Sequence, residues 1–439
     1  MRSQPHRRRR SPFVRGAALV TAIAAGTAVG IGPATAAVPS RSAAGTTNVT
    51  ATAAPATGSV AGRGTLLSSL AIRSSTSRQV RSELLDAGFD ASAVRSGVTL
   101  YRLVYRTVDE DGRPATASGL LVLPHRPSHR ALKVVTYEHG SLVFRGDAPS
   151  VTDDRWSTAA PVVFASAGFA ALAPDYLGLG LGPGPHPWLD VPSEATASAD
   201  LLVAARQFVQ GTGRELDPDV LVTGFSQGAS AALGFARALQ NGDVPGFGLA
   251  AAAPISGAYD LRRTEIPALL NGRLDRRWSV AYLALLLVNW NRRYGLYDSP
   301  AEVFRSPYDR TLPVLLDGDH RGEEVLAGLP ESVDALLTDH GRSLLRRHPT
   351  GALAAALRVA DATCTGWTPQ APVRLYATRT DEQAAYGNSL ACQAAFGRSG
   401  AVVPIVDVGD TDHVDSNARA TAQIVRWFGS IGRRSPERG

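Results

Sequence analysis

Residues 220–232 read VLVTGFSQGASAA, and this stretch decides the fold. An apolar, strand-like run (Val220–Thr223) leads into a serine between two glycines, Gly224 and Gly228, and a helix-like segment follows at once. A nucleophilic serine needs such a sharp strand-to-helix turn, because glycines allow the strained backbone and let a substrate approach Oγ. The stretch therefore predicts that Ser226 is a catalytic nucleophile. A tight turn that only happens to contain a serine is the alternative.

Strand-like and helix-like segments alternate around this turn. Because most of these strands are almost continuously apolar, they predict a mostly parallel sheet with helices on both faces. The alternation stops between residues 259 and 363, where the pattern is helical, and then resumes. We expect strands at 98–108, 117–123, 132–137, 169–174, 220–223, 249–255, 373–378 and 402–408, and helices at 77–87, 159–167, 193–210, 227–239 and 416–428.

The helical region contains one strongly apolar segment, Ala281–Trp290 (AYLALLLVNW). Ten residues cannot span a membrane as a helix, since a span needs ~20 residues. We expect a buried helix of a cap, and the alternative is a surface that docks on lipid.

The N-terminus has the pattern of a secretory signal. The first 36 residues hold six arginines and no acidic residue, with an apolar run at 16–31 and then Ala34-Thr35-Ala36. Cleavage there would reduce the formal charge from +6 to 6 − 6 = 0, which removes the charge argument for nucleic-acid binding. A retained anchor is the alternative, and the Sec or Tat route stays open. Residues 37–62 are mostly small and polar, so we expect them to be disordered.

The two cysteines, Cys364 and Cys392, show no metal-binding spacing. In an exported protein they can form one disulfide, and two separate buried thiols are the alternative. The glycine run at 178–182 lacks the spacing of a nucleotide-binding loop, and no zinc or calcium motif is present. We therefore expect no cofactor and no metal.

A serine hydroxyl needs a general base, and the base needs an acid to orient it. His413 follows the last predicted strand in DTDHV (410–414), where a loop would bring it over Ser226. Asp381 follows the preceding strand, and its neighbour Glu382 is the alternative acid. The order Ser, acid, His along the chain is the order in which the partners follow this kind of turn.

An oxyanion hole needs two backbone N–H groups. We expect one from Gln227, directly after the nucleophile, and one from Ser141 or Leu142, in the loop after the strand at 132–137. His139 and Gly140 would shape that loop beside the substrate. Asp175 and Tyr176, after the strand at 169–174, would lie in a loop that borders the substrate cleft.

These motifs resemble the α/β-hydrolase superfamily, and within it the secreted bacterial esterases and the secretory lipases. The resemblance rests on YEHGS (137–141), PDYLGLG (174–180), GFSQG (224–228), TRTDEQ (378–383) and TDHVDS (411–416). It implies a mostly parallel central sheet with a helical cap insertion. The expected segments are a signal peptide at 1–36, a disordered segment at 37–62, the first part of the hydrolase core at 63–258, a cap at 259–363 and the second part of the core at 364–439.

The sequence thus predicts a secreted serine esterase or lipase that acts on small ester or lipid substrates without a cofactor. It predicts no nucleic-acid or defined protein partner, and it leaves open a transient contact with a lipid surface. A secreted serine peptidase of the same fold remains an alternative, because Arg262, Arg263, Asp275, Arg276 and Arg277 could read a charged peptide terminus. A binding protein without catalytic activity is the other alternative.

Overall fold

The computed structural model describes residues 62–125, 131–346 and 349–431. The expected signal peptide and almost all of the expected disordered segment lie outside these residues.

A nine-stranded sheet forms the centre of the molecule, in the order β1-β2-β3-β5-β4-β6-β7-β8-β9. The strands β1, β2 and β3 are antiparallel to their neighbours, whereas β5, β4, β6, β7, β8 and β9 run parallel. The mostly parallel sheet predicted from the sequence is confirmed. The strands are Leu66–Ser75 (β1), Val98–Val108 (β2), Pro114–Pro124 (β3), Ala131–Glu138 (β4), Ala170–Pro174 (β5), Glu215–Phe225 (β6), Gly248–Ile255 (β7), Leu375–Ala377 (β8) and Ile405–Asp407 (β9).

Helices cover both faces of this sheet, as predicted. Apolar residues of α1, α2 and α14 pack on one face, whereas those of α3 and α4 pack on the other. Each face thus removes its apolar side chains from water, which is the main favourable contribution to folding. These helices are Ser77–Asp86 (α1), Arg155–Ser166 (α2), Val191–Gly211 (α3), Gln227–Asn241 (α4) and His413–Ser430 (α14).

Between β7 and β8 the chain forms a separate helical layer with its own apolar cluster. Its longest helix is α6, which begins after Asp275, whose side chain caps it by accepting hydrogen bonds from the N–H groups of Arg277 and Trp278. The apolar segment Ala281–Trp290 lies within α6 and is buried except for Tyr282, which is partly exposed. The helices after β7 are Ile266–Leu270 (α5), Arg276–Tyr294 (α6), Pro300–Val303 (α7), Tyr308–Leu315 (α8), Gly322–Ala327 (α9), Val333–Leu336 (α10), Asp339–Leu344 (α11), Gly351–Ala360 (α12) and, beyond β8, Gly387–Arg398 (α13).

The strand β1 was not predicted. Its sequence, LLSSLAIRSS, alternates poorly, and most of its side chains are exposed because it lies at the edge of the sheet and pairs with β2. Backbone pairing stabilises it more than burial does, so hydrophobic periodicity could not reveal it.

No helix among the described residues combines the length and the apolar character needed to cross a membrane.

Candidate active site

Ser226 lies at the turn between β6 and α4, as the sequence predicts. Its backbone has φ 58° and ψ −120°, a conformation that L-residues rarely adopt and that is strained. The flanking glycines are needed for space: a Cβ at Gly224 would lie 2.2 Å from the carbonyl oxygen of Gly228, and a Cβ at Gly228 would lie 2.1 Å from the carbonyl oxygen of Glu138. The close packing of β4 against this turn therefore fixes where the hydroxyl points.

His413 meets Ser226 at the start of α14. The Nε2 atom of His413 lies 2.9 Å from the Oγ of Ser226, and its Nδ1 lies 2.9 and 3.0 Å from the two carboxylate oxygens of Asp381. The Asp381 carboxylate is held in turn by the N–H groups of Gln383 and Ala384, at 2.9 and 2.8 Å. Three side chains from distant parts of the chain thus form one chain of hydrogen bonds.

The structure also separates the roles of the two adjacent acids. Asp381 contacts the imidazole ring, whereas Glu382 accepts a hydrogen bond from the backbone N–H of His413 at 2.9 Å. Glu382 therefore helps to place the histidine without touching its ring.

Burial and charge act in opposite directions on His413. Burial disfavours the imidazolium, but the charge and hydrogen bond of Asp381, with weaker help from Glu382 and Glu265, raise the pKa of His413 above its usual 6.5. Burial raises the pKa of Glu265 to about 7, although the N–H of Ala385 and the amide of Asn388 stabilise its charged form. Glu265 is therefore a buried carboxyl that interacts with the histidine.

The loop predicted to supply an oxyanion donor packs against the Ser226 turn. A Cβ at Gly140 would lie 3.4 Å from the Cβ of Ser226 and 3.1 Å from the ring of Phe225, so this loop approaches the turn closely. The hydroxyl of Ser141 accepts a hydrogen bond from the indole of Trp188 at 2.9 Å, so Trp188 holds this side chain in the loop. The oxyanion roles of Ser141 and Gln227 stay predictions.

Asp175 and Tyr176 do not border the cleft, so that expectation is corrected. Both are fully buried: Asp175 accepts hydrogen bonds from the hydroxyls of Ser118 and Ser150, and the ring of Tyr176 packs 4.4 Å from that of His139. They support the loop that contains His139 from within the core. His139 and Gly140 do line the cavity at Ser226.

Sequence reasoning missed a polar cluster under the nucleophile turn. The amide of Gln227 donates to Glu194 Oε1 at 2.6 Å and to His186 Nε2 at 2.9 Å. His186 must carry its proton on Nδ1, which contacts the carbonyl of Leu177, and burial lowers the pKa of His186 to about 3. Burial also raises the pKa of Glu194 to about 8. No motif marks these contacts, because they join residues up to 41 positions apart.

Two cavities meet at Ser226. The histidine-side cavity, of about 60 Å³, is lined by His413, Phe225, Trp156, Trp278 and Leu285 among others. The glutamine-side cavity, of about 40 Å³, is lined by Gln227, Glu265, Leu269 and Leu286 among others. The residues that line both cavities are Ser141, Ser226, Tyr282 and Gln383.

The two cysteines form a disulfide in the structure, with their Cα atoms 5.2 Å apart. It ties Cys392 of α13 to the segment that follows α12. Among the described residues there is no group of three or more His, Cys, Asp or Glu side chains that could hold a metal ion.

No protein-family model and no curated protein matches the chain. Solved structures do match it. The rice cell wall degrading esterase LipA from Xanthomonas oryzae shares 26% identity at a TM-score of 0.72, over 84% of this chain and 98% of that one. A candidate hydrolase from Legionella pneumophila shares 24% identity at a TM-score of 0.76, over 84% and 99%. Candida antarctica lipase A shares 17% identity at a TM-score of 0.58, over 80% and 78%. Together with the sheet and its helices, these similarities show that the chain has the α/β-hydrolase fold and resembles esterases and lipases.

Proposed function

We propose that this protein hydrolyses carboxylic esters, with Ser226 as nucleophile, His413 as general base and acid, and Asp381 as the acid that orients the histidine. The observation that supports this most is the hydrogen-bonded series from Asp381 through His413 to Ser226, with each contact near 2.9 Å. This geometry matches the requirement that base and nucleophile lie within hydrogen-bond reach.

The reaction proceeds in two halves. As Oγ of Ser226 attacks the ester carbonyl carbon, Nε2 of His413 takes the hydroxyl proton, and the N–H groups of Gln227 and Ser141 stabilise the negative oxygen. The C–O bond to the alcohol then breaks, and His413 returns the proton to the departing oxygen. In the second half His413 takes a proton from water as the water oxygen attacks the acyl carbonyl carbon. The bond between that carbon and Oγ of Ser226 then breaks, and His413 returns the proton to Oγ, which releases the carboxylic acid and regenerates Ser226.

The electrostatics of the site support this assignment. His413 must be neutral to accept the proton, and Asp381 stabilises the imidazolium that then forms. Both side chains are almost completely buried, at 3% and 2% exposure, so water screens their interaction little.

Ester hydrolysis is favoured over peptide hydrolysis by the surroundings of Ser226. The arginines and aspartate that could read a peptide terminus (Arg262, Arg263, Asp275, Arg276 and Arg277) line neither of the two cavities. The similar protein from Xanthomonas is an esterase.

The test is a series of p-nitrophenyl esters from acetate to octanoate, assayed beside aminoacyl and dipeptidyl anilides. We expect turnover of the esters and loss of that turnover in Ser226→Ala. Cleavage of anilides without ester cleavage would contradict the proposal and favour the peptidase.

We also propose that the protein is exported and acts on esters or lipids outside the cytoplasm. The arginine-rich, apolar N-terminus and the disulfide, a bond typical of oxidising compartments, support this. Fractionation of cells that express the full chain, beside a chain without residues 1–36, tests export: the full chain should leave the cytoplasm and the shortened one should stay.

A further inference from the structure

Ser226 lies where two separate cavities meet, so an ester bound there must extend into both. On the cap side, the hydroxyl of Tyr282 donates a hydrogen bond to Oε1 of Gln383 at 2.6 Å, and both residues line both cavities. This pair forms a partition over the nucleophile. The acyl chain and the alcohol of an ester would therefore be held on opposite sides of it.

Helix α6 presents different side chains to the two sides. Trp278, Tyr282 and Leu285 follow one another at helical spacing and line the histidine-side cavity. Leu286, one position further, lines the glutamine-side cavity. Two adjacent leucines of one helix thus reach two different spaces.

The position of His413 decides which part of the ester each cavity takes. The departing oxygen must receive its proton from Nε2 of His413, so the alcohol must lie on the side that His413 lines. His413 lines the cavity that contains Leu285, whereas the cavity that contains Leu286 is lined by Gln227 and not by the histidine. Resting on the proposed ester hydrolysis, we propose that the alcohol occupies the histidine-side cavity and the acyl chain occupies the glutamine-side cavity.

The walls of the glutamine-side cavity indicate the kind of acyl group that it accepts. Its walls are mainly apolar, with Leu261, Ile266, Leu269 and Leu286 among them. The acyl group that fits these walls is therefore apolar.

The histidine-side cavity suits a larger and flatter alcohol. It is the bigger of the two, and aromatic rings form much of its wall, including those of Trp156, Phe225, Trp278 and Tyr282. Such rings pack well on an aromatic or otherwise cyclic alcohol. The substrate class is thus an apolar acyl ester of a ring-containing alcohol.

The adjacent leucines provide the test. Leu286→Ala should raise the kcat/KM of p-nitrophenyl octanoate relative to butyrate at least about tenfold, because the space that it opens takes at least one further methylene, and one methylene in an apolar pocket changes kcat/KM by ~10-fold or more. Leu285→Ala, the matched control, should leave that chain-length ranking unchanged and instead raise 2-naphthyl acetate relative to phenyl acetate. Leu269→Ala, on α5, should repeat the effect of Leu286→Ala if the latter does not fold.

The opposite pattern, in which Leu285→Ala changes the acyl preference, would overturn the assignment, and so would an active Leu286→Ala with an unchanged acyl preference. Labelling of each variant by a fluorophosphonate distinguishes this failure from failure of the proposed function. If labelling and ester turnover persist while the preferences do not separate, only the assignment is wrong. If the wild-type protein is not labelled, the proposed function is wrong.

Discussion

Replacing Asp381 by asparagine changes the contact that sets the tautomer and the protonation of His413. The two oxygens of Asp381 lie 2.9 and 3.0 Å from Nδ1 of His413, and neither side chain is more than 3% exposed. The amide that replaces the carboxylate can donate a hydrogen bond to Nδ1, which favours the wrong tautomer, and it no longer stabilises the imidazolium. We expect kcat to fall about 10⁴-fold, the loss known for such a change, which equals about 5 kcal/mol of transition-state stabilisation.

The matched control is Glu382→Gln. Glu382 accepts a hydrogen bond from the backbone N–H of His413 at 2.9 Å, and the amide oxygen of glutamine can accept the same bond. We expect kcat to fall by less than about tenfold, since a neutral acceptor keeps the placement and loses only charge.

Steady-state kinetics on p-nitrophenyl butyrate, with active sites counted by fluorophosphonate titration, measures both effects. The residual activity of Asp381→Asn should also have its acidic limb at lower pH, because the main influence that raises the pKa of His413 is removed and burial remains. The reasoning is refuted if Asp381→Asn keeps more than a tenth of wild-type kcat, or if Glu382→Gln loses as much as Asp381→Asn.

Three further predictions concern the charge of Glu265 and the disulfide. The charge of Glu265 helps to raise the pKa of His413, so Glu265→Gln should move the acidic limb of the kcat/KM profile to lower pH, by less than about one unit; a shift to higher pH would contradict this. Since burial raises the pKa of Glu265 to about 7 from 4.5, wild-type stability should also fall as pH rises through that range, and the glutamine variant should lose this dependence in urea unfolding at several pH values. The disulfide closes a loop of 28 residues, so reduction, or Cys364→Ser with Cys392→Ser, should lower the free energy of unfolding by about 3–4 kcal/mol. An unchanged Tm in the presence of reductant would show that the bond does not stabilise the fold.

The parts of the fold that follow from local pattern were predictable. The strands from β2 to β9 and the turn at Ser226 show in apolar runs, glycine positions and the switch from strand to helix. The bounds differ by a few residues, because helix caps such as Asp412 at the start of α14 extend elements beyond their apolar part. The edge strand β1 was missed because its side chains are mostly exposed.

The chain order of the site residues was predictable from the sequence, but the contacts that support them were not. Ser226, Asp381 and His413 each follow a strand, and parallel strands bring their carboxyl ends to one edge, so the sequence could place them together. Asp175 also follows a strand, yet its carboxylate is fully buried and accepts hydrogen bonds from the hydroxyls of Ser118 and Ser150. The carboxyl that contacts a given histidine, and the amide from which His186 accepts a hydrogen bond, depend on distances between remote segments. No local sequence pattern contains those distances.

The most direct test of the central claim is the covalent labelling of Ser226. The purified protein is treated with a fluorophosphonate, digested and sequenced by mass spectrometry. We predict one modified residue, Ser226 in the peptide around VTGFSQGAS, and no labelling of the folded Ser226→Ala variant. A folded wild-type protein that is not labelled, or a label on another serine that persists in Ser226→Ala, would contradict the account.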